Sequence, residues 1–120
     1  MKFSLTNEFR ERLRLEILQK NVEFIKNVFK DISYVDITEL LYEFDSKESK
    51  YVLDNINLEI SAQIISELDQ DTRENFLKVY SNQEIASYLE FIDSDDGADI
   101  LSELIERDRI DVISNISNKQ

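Results

Sequence analysis

Apolar side chains recur along this chain at helical spacing. Phe9, Leu13 and Ile17, with Leu18 alongside, are followed by Val22, Ile25, Phe29 and Ile32, and the i, i+3, i+4 rhythm predicts helices rather than strands. A stronger pattern emerges when the chain is cut every twelve residues from Asn21. The first column then reads Asn21, Ser33, Asp45, Asn57, Asp69, Ser81 and Asp93, and breaks only at Ile105. Asn, Ser and Asp are preferred at a helix N-cap because a short side-chain oxygen takes an otherwise orphaned backbone N–H. Three residues further on stand Asp36, Glu48, Glu84 and Asp96, a spacing like that of a capping box.

The eighth, ninth and twelfth columns are apolar throughout, from Val28, Phe29 and Ile32 in the first block to Val112, Ile113 and Ile116 in the last. Positions at i, i+1 and i+4 share one helix face. Each block therefore holds about nine helical residues, roughly 14 Å at 1.5 Å per residue, closed by a tight turn. Helices this short are unstable alone in water, so their apolar faces must be buried on neighbours. A regular series of sharp turns builds a superhelix. The expectation is an all-α solenoid with a twelve-residue repeat over residues 21–116, led by a capping helix over residues 1–20 and ended by a frayed tail, 117–120, together forming one domain.

Composition narrows the function. The chain has 120 residues, a single Gly (Gly97), no Pro, no Cys and no His. So few turn residues disfavour a sheet-rich fold. Without Cys or His there is no thiolate metal site, no imidazole base and no disulfide framework. Metal binding must then use oxygen ligands, which suit Mg2+ or Ca2+. No catalytic constellation or Gly-rich phosphate loop is present, and an enzyme is not expected. No stretch approaches the ~20 apolar residues of a membrane span, so the chain is expected to be soluble, with no direct membrane insertion.

The net charge of −12 is uneven: residues 1–32 carry seven basic and five acidic side chains, residues 33–120 seven and twenty-one. So acidic a body repels phosphate, which excludes nucleic acid as a partner. Arg10, Arg12, Arg14 and Lys20 in the first helix are interleaved with Glu8, Glu11 and Glu16, and the expected result is a mixed solvent-facing surface.

The candidate site is the acidic run Glu84 to Glu106, which lies in a stretch with no Lys or Arg between Lys78 and Arg107. On a helical wheel Ile100, Leu101 and Leu104 point inward with Gly97 beside them. Asp95 and Asp99 stand at i, i+4 on the opposite face, with Glu103 one turn further along the same stripe. Asp93 is the expected N-cap and Asp96 its N3 partner, an arrangement the helix macrodipole alone would favour. Like charges at i, i+4 repel, and a hard divalent cation would neutralise Asp95 and Asp99 through oxygen ligands. One helix supplies only part of a coordination shell.

The segment Asp36-Ile-Thr-Glu-Leu-Leu-Tyr-Glu-Phe44 resembles the stretch ADIAELLEEL of the MgtE magnesium-transporter N-terminal domain, and Asp93-Ser-Asp-Asp-Gly-Ala-Asp-Ile-Leu-Ser-Glu-Leu104 resembles that family's DPDDAADLLEEL. The resemblance extends over residues 6–116 with the same rhythm. It departs where family members often place Pro after the cap and this chain has Ser46, Leu58, Gln70, Asn82 and Ser94. The resemblance implies a right-handed superhelix on the cytosolic side of the membrane, a regulatory domain of a Mg2+ transporter. It further implies that Mg2+ binds between this domain and the CBS domains of the same homodimeric protein to hold the pore closed. By position, Asp95, Asp99 and Asp96 are the implied metal-site residues, weak in the isolated chain. The alternative is a metal-independent interaction solenoid similar to the N-terminal region of the flagellar motor-switch protein FliG.

Overall fold

The helix starts lie where the polar column of the repeat places them. In the computed structural model, which describes residues 6–117, the elements in chain order are α1 (Asn7–Leu18), α2 (Val22–Phe29), α3 (Tyr34–Leu41), α4 (Ser46–Asp54), α5 (Leu58–Glu67), α6 (Gln70–Leu77), α7 (Asn82–Leu89), α8 (Ser94–Ser102) and α9 (Glu106–Ser117). No strand occurs among the described residues, and the all-α expectation of short helices stepping every twelve residues is met. The expected frayed tail lies outside the described residues, except for Ser117, which ends α9.

The caps explain the boundaries. Asn21, Ser33, Asp69 and Ser81 each accept a backbone N–H from the third residue on, and Asn57 Oδ1 accepts from Glu59 and Ile60 at 2.8 and 3.2 Å. Two caps are reciprocal boxes. Glu48 N–H donates to Asp45 Oδ1 at 2.7 Å while Asp45 N–H donates to Glu48 Oε1 at 3.0 Å; Ser81 and Glu84 repeat the exchange at 3.1 and 2.9 Å. α1 ends differently. Lys20 adopts φ 55°, and the N–H groups of Asn21 and Lys20 donate to the carbonyls of Glu16 and Ile17, both at 3.0 Å. This is the Schellman closure, formed here on a lysine where glycine is usual.

The chain divides into two compact units, residues 1–60 and 61–120, with the division inside α5. In the first unit α1 packs on α2 and α4, around a core that includes Leu13, Ile25, Ile37, Leu40, Val52 and Leu53. The arginines of α1 are not simply solvated. Arg10 pairs with Glu43 at 3.2 Å, Arg14 donates to the Glu43 carbonyl at 2.7 Å, and Arg12 and Arg14 lie over the rings of Phe24 and Phe44.

In the second unit α7 packs on α9. The core includes Ile64, Ile65, Phe76, Leu77, Ile85, Tyr88, Ile100 and Val112. Phe76, Tyr80 and Tyr88 form an edge-to-face series with centroid separations of 5.1 and 5.5 Å, the geometry that the ring quadrupole favours. The eighth column is buried from Leu40 to Val112, whereas in the ninth Ile113 has turned outward at 45% exposure. The apolar pattern fades in the last block, the one that also lacks a polar cap residue.

Candidate functional site

The acidic stretch folds as α8 and the turns that flank it. Gly97 and Ile100 are buried, while Asp95, Asp96 and Asp99 are exposed. The wheel reading of Asp95 and Asp99 on the outward face is therefore met. Asp93 occupies the N-cap position with extended backbone, but its side chain accepts no capping hydrogen bond. The Asp96 side chain completes no box there, unlike Glu48 and Glu84. These four carboxylates accept no hydrogen bond from another described side chain or amide.

Neighbouring carboxylates are engaged. Asn82 Nδ2 donates to Asp108 Oδ1 and Asp111 Oδ2, both at 3.1 Å, joining α7 to α9. Glu103 departs most from its expected place. It does not continue the outward stripe: its side chain is only 5% exposed and meets the buried guanidinium of Arg73 in α6. The pair is bidentate, with Arg73 Nε donating to Glu103 Oε1 at 2.8 Å and Nη2 to Oε2 at 2.5 Å. Fork-to-fork geometry of this kind fixes direction as well as charge. Arg73 Nη1 donates to the carbonyls of Leu68, Ser66 and Ile65 at 2.9, 3.1 and 3.4 Å. One side chain thus satisfies acceptors at the end of α5 and grips the residue that caps α8.

Electrostatics extend this link to the exposed face. The hydrogen bonds it donates to Glu103 hold the Arg73 guanidinium more firmly in its charged form against the opposing effect of burial; Glu103, Asp99 and Asp96 also act on it through their charge. The reading that nothing basic relieves the acidic run is corrected here, because the relief arrives from thirty residues away in sequence. The signal was in the repeat. The fifth column reads Ile25, Ile37, Ser49, Ser61, Arg73, Ile85, Gly97 and Arg109, all of them buried but the last. An arginine in a core column needs a buried carboxylate.

Among the described residues no group of three or more Asp or Glu side chains is disposed to hold a metal ion. Asp95, Asp96 and Asp99 present carboxylate oxygens, the donor type that hard divalent cations take, and would supply only part of a coordination shell.

A succession of short capped helices with an outward acidic face on α8 defines an all-α helical-repeat domain. The chain belongs to the MgtE intracellular N domain family, whose model matches residues 32–120, that is, α3 through the end of the chain, leaving α1 and α2 outside the match. This family comprises intracellular, non-catalytic domains of magnesium transporters. No curated protein matches the chain. Among the described residues no helix is long and apolar enough to cross a membrane.

Proposed function

We propose that this chain is a cytosolic regulatory domain of a magnesium transporter, with the outward face of α8 as its Mg2+-responsive surface. The observation that carries the proposal is the sorting of carboxylates in residues 61–120: Glu84, Glu103, Asp108 and Asp111 are tied into the fold, while Asp95, Asp96 and Asp99 are left outward on one short helix. Unpaired like charges at i, i+4 cost stability, and a hard cation relieves that cost through its oxygen coordination. Asp95 and Asp99 would be the principal ligands, with Asp96 beside them. Because the donor set is incomplete, the second half of the shell comes from the CBS domains of the same homodimeric transporter. Mg2+ then acts as a cement between two acidic-tolerant surfaces and holds the pore closed. The isolated chain should accordingly bind Mg2+ weakly, at roughly 10⁻⁴–10⁻³ M, as low-affinity oxygen sites do.

That no three Asp or Glu side chains among the described residues are disposed around one point favours one other reading, a metal-independent protein-interaction solenoid. Thermal unfolding separates the two. Under the magnesium reading MgCl2 raises the melting temperature beyond NaCl of equal ionic strength, since specific binding stabilises the native state whereas salt only screens. Equal shifts in the two salts would support the metal-independent reading.

A further inference from the structure

Arg73 does more than fill a core position. Its guanidinium is nearly inaccessible, as is the Glu103 carboxylate. A buried ion pair is a poor source of net stability, since desolvation offsets most of its attraction, but it can select one arrangement of the elements it joins. The elements here are the end of α5, α6 that carries Arg73, and the C-terminal turn of α8. At the other end of α8 Asp93 makes no side-chain cap bond. Gly97 and Ile100 bury the inner face of the helix, and Glu103 is the point at which a side-chain ion pair ties it to α6.

We infer that Arg73 is the positioning residue of the acidic α8 face, fixing through Glu103 the direction in which Asp95, Asp96 and Asp99 are presented. The inference rests on the proposed role of that face, but its structural half stands on the ion pair itself. The long-range attraction of Arg73 for Asp99 and Asp96 acts in the same sense, drawing α8 toward α6.

The test uses the full chain with three changes: Glu103→Gln, Arg73→Lys, and Arg73→Met combined with Glu103→Met. Two readouts are compared, amide hydrogen exchange of α8 against α7, and backbone amide shifts during a MgCl2 titration against NaCl. In the double variant α8 exchange should accelerate at least about tenfold relative to α7, as expected when one element opens below the global transition. The Mg2+-specific shifts at residues 93–103 should be lost although every outward Asp is intact. Arg73→Lys keeps the charge and loses the fork, so it should fall between. If the double variant does not fold, Glu103→Gln decides, with α8 exchange faster relative to α7 and the Mg2+-specific shifts weakened. Exchange in α8 that stays in step with α7 in all folded variants, with Mg2+ shifts like those of the parent, overturns the inference. If the parent itself shows no Mg2+-specific shift, the magnesium reading falls and the exchange data alone judge the positioning role.

Discussion

Asp99 and Glu103 stand one turn apart on the same helical stripe, yet Asp99 is exposed while the Glu103 carboxylate is buried against Arg73. Four residues do not bring two side chains back to quite the same heading, and at the end of α8 that small rotation, together with a guanidinium waiting in the fifth column, carries Glu103 out of solvent. The division of labour follows. Glu103 belongs to the fold, and the outward carboxylates are free to meet something else.

The caps provide a graded test. Asp69→Ala and Ser81→Ala remove side-chain acceptors of backbone N–H groups and should each cost about 0.5–2 kcal/mol. Asp93→Ala removes no such bond and should fall within about 0.5 kcal/mol, as at an ordinary surface position such as Lys78. Denaturant unfolding of these three variants, with Lys78→Ala as the surface control, checks the order.

Gly97 lies inside α8 without positive φ, and a methyl group there meets Leu89 at ordinary contact distance. Gly97→Ala should stabilise the chain by about 0.5–1 kcal/mol, the usual cost of a glycine in a helix interior. A loss of stability would show that α8 packs more tightly than this geometry allows.

Lys20 is a lysine in the left-handed region at the end of α1. Lys20→Gly should raise stability by about 1 kcal/mol by removing the steric penalty of a side chain at that φ. The same change at Lys78, in the right-handed region, should not, and the pair of melts forms its own control.

Much of the fold was legible in the sequence because two signals coincided. A polar column at the caps and apolar columns on one face both repeat every twelve residues, and no strand pattern satisfies both. The break of the cap column at Ile105 was legible too, but the outward turn of Ile113 was not, since the apolar columns run unbroken into the last block. Of the site, the outward heading of Asp95 and Asp99 could be read from the wheel, since neighbours on one helix are local. The fate of Glu103 could not be read that way. Its partner Arg73 is two helices earlier, in α6, and a wheel drawn for α8 alone does not contain it. Aligning the fifth column would have exposed Arg73 as a charge among buried residues, though not which carboxylate answers it. The silent cap at Asp93 lay beyond pattern altogether, since Asp at an N-cap position normally accepts a bond.

The central claim is that the outward face of α8 responds specifically to Mg2+. The most direct measurement is a two-dimensional amide NMR titration of the full chain with MgCl2, matched in ionic strength by NaCl and repeated with Asp95→Asn combined with Asp99→Asn. The account predicts Mg2+-specific shifts concentrated at residues 93–103 with a midpoint of roughly 10⁻⁴–10⁻³ M, absent in NaCl and abolished in the double variant. Shifts spread evenly over the acidic surface, or unchanged by the double substitution, would contradict it and leave the outward carboxylates as an ordinary solvated face.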